Sequence, residues 1–300
     1  FFFFSACATC HEVPETKAPP TATLRQLPAA RILMAMELGK MQPQAAGLAP
    51  QQRVDLSRWL AAEEDAKRDA WIAERACARE TPVPVTGRGN WGLGRDNRRE
   101  AVDVAIGRGN LDDLELQWSV ALPAVTTMRS QPVVAGDTVF LGSKGAHLLA
   151  LDRRSGCVRW SLATDAPVHS ALTLDRTPDG VATLFLADEL AMVYAVDATT
   201  GRLRWRERVK WFPTSIVSGP IGYHDGRLYV PLSSFEVAAA GLPTHECCRS
   251  HGGIAALDAT TGKALWRYDT TPHAVRTTVT RDGTQLWGPS GAPVWNSPTV

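Results

Sequence analysis

The sequence has no run of roughly eighteen consecutive apolar residues, which excludes a helix that crosses a membrane. Phe1 to Phe4 is apolar but too short to be a complete signal peptide. Charge bias is also missing. Lys and Arg number 32 against 31 Asp and Glu, a net charge of +1, and residues 1–80 carry ten of each sign. A nucleic-acid footprint needs concentrated basic charge, so nucleic acid is excluded as a partner. Cysteine is scarce, at six residues. Between Glu12 and Asn110 there is no His and Cys77 stands alone, so a zinc site begun at Cys7 and Cys10 lacks its second ligand pair. What is present is an ordinary hydrophobic content of 44% over 300 residues, enough for about two domains.

Cys7-Ala8-Thr9-Cys10-His11 is the most specific local signal. Two residues between the cysteines let both sulfurs reach the two vinyl carbons of one porphyrin, and the adjacent imidazole lands under the iron. Cys7 and Cys10 are therefore expected to attach haem c covalently, with His11 as an axial iron ligand. A methionine thioether is the expected sixth ligand. Met41 suits that role, on a loop bounded by Gly39 and Pro43; Met34 and Met36 lie within a helical pattern over Arg31 to Leu38 and read as core filler. Val54 to Ala62 reads as a closing amphipathic helix with Leu56, Trp59 and Leu60 on one face. The expectation is a small all-α cytochrome c domain over 1–78, with a linker over 79–90 that includes Pro82 to Pro84. Such a domain would normally have a helix ahead of Cys7, so the true N-terminus is expected upstream.

From residue 91 onward the chain repeats itself. Leu151-Asp152-Arg153-Arg154-Ser155-Gly156 through Trp160 recurs at Val196-Asp197-Ala198-Thr199-Thr200-Gly201 through Trp205, and again at Leu257-Asp258-Ala259-Thr260-Thr261-Gly262 through Trp266. Each copy reads as strand, turn, strand: Asp and Ser or Thr bond turn amides, and Gly supplies the positive φ. The Trp ring suits packing between neighbouring sheets. Two more strands precede each copy, as in Pro132 to Val134, a turn at Ala135 to Asp137, and Thr138 to Gly142. Four strands per unit at a 45-residue spacing, Asp152 to Asp197, indicate an all-β propeller over 91–300. Asp197 to Asp258 is 61 residues, so the third unit carries an insertion, about Phe235 to Gly253, which holds Glu236, His245, Glu246, Cys247, Cys248 and His251. Inner strands begin near a propeller's axis, so Arg129-Ser130, Val168-His169, Val217-Ser218 and Trp295-Asn296 are expected to converge. Arg202, Arg204, Arg206, Arg208 and Lys210 make one face of a strand basic, read as a solvated outer strand rather than a docking patch.

The repeat with a haem motif ahead of it resembles the pyrroloquinoline quinone (PQQ) dependent quinohaemoprotein alcohol dehydrogenases, most of all the polyvinyl alcohol dehydrogenases. Trp91-Gly92, Asp96-Asn97-Arg98, Leu116 to Ser119, Ser233-Ser234-Phe235-Glu236, Glu246-Cys247-Cys248 and Gly291 to Trp295 carry the likeness. The resemblance implies a Cys247–Cys248 disulfide ring covering one face of PQQ and calcium held by Glu236. Convergence of the strand starts, independently of family, makes Arg129 the candidate partner of a quinone carboxylate, Ser218 and Ser233 candidate hydrogen-bond donors, Trp295 a candidate stacking ring and Asn296 a calcium candidate, with an ordinary turn or strand-end residue the competing reading of each. The calcium-binding Asn of these enzymes has no clear counterpart before Trp295. Two unrelated thiols remain the plainer reading of Cys247 and Cys248. Cys77 and Cys157 either bridge linker to first blade or stay as buried reduced thiols.

Where these enzymes carry an Arg shortly after the Cys pair, this chain has His251, and His169 stands where a basic arginine is expected. About eight blades close such a propeller; three repeats are present, so the chain reads as a fragment, with Leu116 to Val120 a strand of an absent last blade and the catalytic base beyond residue 300. The implied activity is hydride transfer from an alcohol substrate to PQQ, then electrons to haem c and a downstream acceptor. Haem attachment and a vicinal disulfide point to the periplasm. The competing expectation is a cytochrome fused to a non-catalytic scaffold propeller, or one that has lost its quinone.

Overall fold

The computed structural model describes residue 3 and residues 7–78, 84–93, 99–100 and 105–299. Phe1, Phe2 and Phe4, the linker residues Arg79 to Val83, and Asp96-Asn97-Arg98 lie outside the described residues.

The N-terminal part is helical: α1 (Ala8–His11), α2 (Thr21–Leu24), α3 (Ala29–Glu37), α4 (Gln42–Ala45), α5 (Pro50–Leu60) and α6 (Ala62–Glu74). Pro28 precedes α3 and Pro50 opens α5, places where a missing N–H costs nothing. Ile32, Leu33 and Met36 of α3 bury against Val54, Leu56 and Leu60 of α5. Trp59 departs from expectation. One step before Leu60, it sits on the flank of that stripe, 50% exposed, against Phe3 at 5.7 Å and under the Arg25 guanidinium at 5.6 Å.

The rest is antiparallel sheet. β1 (Val133–Ala135), β2 (Thr138–Ser143), β3 (His147–Asp152) and β4 (Val158–Ala163) form the first sheet in sequence order. β5 (Thr173–Arg176), β6 (Ala182–Ala187), β7 (Met192–Asp197) and β8 (Leu203–Arg208) form the second. In the third, β10 (Gly222–His224), β11 (Arg227–Ser234), β12 (Gly253–Asp258) and β13 (Ala264–Asp269) run in order, and β9 (Ser215–Ile216) pairs with the end of β11. A separate hairpin, β14 (Val275–Val279) with β15 (Gln285–Gly288), follows. These sheets do not close into a ring. The Leu116 to Val120 stretch is no strand, having no ladder partner among the described residues, and Leu116 is 85% exposed.

The repeated turn explains how the sheets stack. Asp152, Asp197 and Asp258 accept from the amides two and three residues on, and Gly156, Gly201 and Gly262 take φ of +72°, +73° and +76°. Each glycine lies under a tryptophan of the preceding segment: Trp118 on Gly156, Trp160 on Gly201, Trp205 on Gly262, where a Cβ would come within 2.7, 2.6 and 2.6 Å of the ring. The same three indoles donate to the carbonyls of Arg153, Ala198 and Ala259 at 2.9, 3.2 and 3.0 Å. Alternation on β6 serves both neighbours: Leu184 and Leu186 pack toward the first sheet's Phe140 and Leu148, Phe185 and Ala187 toward the third sheet's Leu228 and Leu257.

The helical part sits against the sheets. Ala166 and Leu190, from turns of the second unit, bury in the α3–α5 core. Arg58 of α5 and Arg206 of β8 both reach Asp165, at 2.9 and 3.0 Å, and Glu37 of α3 meets Arg53 at 3.3 Å and Lys210 at 2.9 Å. Arg206 and Lys210 are therefore contact residues, which corrects the reading of that strand as a solvated edge. Charge alternation shows which residues share a face but not what the face meets. Beyond α6, Val158 donates to Arg75 and Cys77 to Val158, and Cys77–Cys157 form a disulfide that fastens this segment along β4.

Candidate functional site

The turns β2–β3, β6–β7 and β11–β12 are equivalent by repeat and differ sharply. The first two are short. The third runs from Phe235 to Gly252 and begins with a short helix, α7 (Glu236–Ala239). Its anchor is the Glu236 carboxylate, 6% exposed. That group accepts from the Arg249 amide at 3.0 Å, the Ser250 amide at 2.7 Å, the Ser250 hydroxyl, and His245 Nε2 at 3.2 Å. Burial alone would raise its pKa, but the bonds from Ser250, Arg249 and His245 outweigh burial and hold the carboxyl below its usual range.

The clamped residues directly follow Cys247 and Cys248, which are joined as a disulfide across a cis peptide. The hairpin supports the pair from the other side: Trp287 donates to the Cys247 carbonyl at 2.8 Å, and the Arg249 guanidinium lies 4.1 Å over the Trp287 ring. Gly252 donates to Gly291 at 2.8 Å, and Val294 to Leu232 at 3.0 Å, so the 291–295 strap crosses the same end of the sheet. Trp295 Nε1 donates to the buried Ser233 hydroxyl at 2.8 Å. A Cβ on Gly219 would come within 2.5 Å of the Trp295 carbonyl, which puts Ser218 beside that strap. Ser233, Glu236, Cys247, Cys248 and Trp295 thus lie on connected segments at one end of the third sheet, and Ser218 precedes the glycine that abuts the strap. Trp295 itself is 61% exposed, a ring with a free face.

Arg129 belongs to a second cluster, between the first two units. Lys144 of the β2–β3 turn and His169 Nδ1, the latter at 3.1 Å, both meet Glu189 Oε1 of the β6–β7 turn. Burial first, then Lys144 and Arg129, push His169 down to about 4, so it is neutral at pH 7 and donates through Nδ1. Lys144 is lowered by burial and by Arg129. Asn296 is exposed with no hydrogen-bond partner among the described residues. Sequence reasoning missed Lys144, Glu189 and Ser250; the equivalence of the three turns was the signal for the first two.

The fit of each implied cofactor follows from the donors present. His11 is 7% exposed and its Nδ1 donates to Pro19 O at 2.6 Å, leaving Nε2 as the open nitrogen, the tautomer a metal ligand needs. Cys7 and Cys10 are free thiols, His11 N bonds Cys7 O at 3.0 Å, and Cys7 and Met41 pack on the same apolar cluster. These residues fit haem. The disulfide, Ser233, Ser218 and the free face of Trp295 fit a flat, polar-rimmed ring. Calcium does not fit at Glu236: two amides, a hydroxyl and an imidazole already occupy both oxygens, and among the described residues no group of three His, Cys, Asp or Glu could hold a metal.

The PQQ_2 family model, described as outer membrane protein assembly factor BamB, matches residues 103–177 and 180–292. A polyvinylalcohol dehydrogenase of Sphingopyxis sp. (strain 113P3) is 33% identical over 321 residues, covering 98% of this chain and 48% of the relative. One from Pseudomonas sp. is 29% identical over 98% of this chain and 49% of the relative. The chain spans about half the length of these relatives. Quinohemoprotein alcohol dehydrogenase from Comamonas testosteroni superposes with a TM-score of 0.47 at 21% identity, over 69% of this chain and 31% of that one.

Proposed function

We propose a function from one established premise: the chain belongs to the PQQ_2 family. The reading best supported is that of a periplasmic quinohaemoprotein oxidoreductase, divided into a cytochrome c domain over 1–78, a linker over 79–90 and a PQQ-type propeller over 91–300. Its substrate is a secondary or polymeric alcohol. The two relatives that cover 98% of the chain bear the name polyvinylalcohol dehydrogenase, which supports that class.

The observation that carries the reading is the third unit's turn. A buried carboxylate binds the two residues after the disulfide, a hairpin binds Cys247 itself, and the strap that carries the exposed Trp295 binds Gly252, an arrangement that a purely structural turn does not require. When bound, PQQ supplies a two-electron acceptor for the hydrogen on the alcohol carbon, and haem a one-electron outlet. The chain's residues do the rest. The Cys247–Cys248 ring would cover one face of the ligand and keep water from it; Trp295 would offer a stacking surface; Ser218 and Ser233 would give hydroxyls at the rim; and Arg129, from the cluster between the first two units, would supply positive charge for a carboxylate. Cys7 and Cys10 would tether the haem, His11 would hold its iron through Nε2, and Met41 would supply the thioether ligand.

Equilibrium dialysis of the full-length protein with PQQ tests this. The wild type retains quinone and the Cys247→Ser/Cys248→Ser variant retains at least tenfold less. Equal retention by both would take the Cys pair out of the quinone site, and none by either would leave the scaffold-propeller reading in its place.

A further inference from the structure

A groove of about 390 Å³ opens between the helical part and the end of the second sheet. Gln42 and Arg53 line it from one side, Arg208, Lys210 and Phe212 from the other, and Glu37 lies in its wall. Its charges do not balance. Glu37 is the one carboxylate among these lining residues, and its two oxygens are taken by Arg53 at 3.3 Å and Lys210 at 2.9 Å. Arg208 has no acceptor among the described residues, although it is only half-exposed and close enough to act on Glu37. Three cations around one paired carboxylate, in a partly desolvated cleft, call for further negative charge. The cleft is too small for a macromolecule and suits one or two carboxylate groups.

Position narrows the choice. Gln42 immediately follows Met41, so the groove opens beside the residue assigned to the iron's sixth position. Arg53 comes from α5, whose Val54, Leu56 and Leu60 build the apolar cluster shared with Cys7 and Met41. On its far side, Phe212 meets the His251 ring edge-on at 4.8 Å, three residues past Cys248.

We propose that this groove receives the haem propionates, with Arg208 and Lys210 of the sheet part as their partners, so that the prosthetic group tethered in the helical part is also held by the propeller. The proposal rests on the haem reading above. It gives the unpaired Arg208 a role.

The test is redox titration of the haem in the full-length holoprotein. A cation beside a propionate disfavours the ferric state, so Arg208→Gln is expected to lower the midpoint potential, and Arg208→Lys to recover most of the wild-type value. Arg202→Gln, at an exposed residue just before the same strand, is the control and leaves the potential unchanged. A potential in Arg208→Gln equal to that of Arg202→Gln overturns the proposal. So does a groove that binds free citrate or phosphate by calorimetry in wild type but not in Arg208→Gln, since an occupied groove would be closed to both. Failure of the haem reading shows separately, as the absence of a c-type pyridine haemochrome from the wild type.

Discussion

The two ends of the three repeat units differ in what varies. At one end, Asp152, Asp197 and Asp258 make the same turn, with the same left-handed glycine under the same tryptophan. At the other, the first two units turn tightly through Lys144 and Glu189, while the third sends out residues 235–252 and carries its own supports. The first end fixes how sheets stack; the second is free to acquire chemistry because the frame does not depend on it. Glu236 makes that freedom visible, since it replaces the missing ladder bonds with bonds to Arg249 and Ser250.

The sharpest way to break the comparison is at the constant end. Gly201→Ala forces Ala into positive φ and pushes Cβ into Trp160, a loss of roughly 2–4 kcal/mol by thermal unfolding. Gly180→Ala, at φ +82° with nothing within 4 Å of its Cβ, is expected to lose only about 1 kcal/mol. Equal losses at the two sites would remove the tryptophan lock from the account. At the variable end, Glu236→Ala strands the amide of Arg249 and the buried amide and hydroxyl of Ser250, at a cost of ~2–3 kcal/mol. Because the damage is local, limited proteolysis should cut within 237–249 at least tenfold faster while the sheets stay intact. Cleavage no faster than in wild type would mean that the hairpin alone holds the loop.

A third contrast is in pH. His169 occupies in the second unit the place of Ser218 in the third. Its folded-state pKa of about 4 lies below the ordinary 6.5, so its contribution to stability is complete above pH 6.5 and is lost as the pH falls toward 4. His169→Gln should flatten the fall in melting temperature over that window; an unchanged slope would contradict the neutral, half-buried imidazole. The smallest effect is expected at the interface, where Arg206→Gln should cost less than ~1 kcal/mol because Arg206 is 41% exposed and Arg58 still pairs with Asp165.

Much of this was legible in the sequence because it is local. The Asp-to-Gly turn, the strand pairs around it and the placement of Glu236 with Cys247 and Cys248 in one insertion follow from spacing alone. His11 one helical turn from Cys7 is equally local. What escaped depends on residues far apart in the chain. Lys144, His169 and Glu189 meet only when neighbouring sheets stack, and Arg206 and Lys210 meet Asp165 and Glu37 only when the helices dock. Leu116 to Val120 has strand composition but no neighbour to pair with among the described residues, and Trp59 has core composition but sits on a flank. The calcium expectation at Glu236 came from resemblance; the donors around that carboxylate give it the loop instead.

The most direct test of the central claim, that the third unit's turn seats a quinone whose electrons leave through the haem at Cys7 and Cys10, is the haem absorbance of the full-length protein loaded with PQQ as a secondary alcohol is added. The account predicts that the ferrous α-band grows in the wild type and stays flat in Cys247→Ser/Cys248→Ser. A band that stays flat in the wild type with every alcohol tried, haem and quinone both being bound, would contradict it.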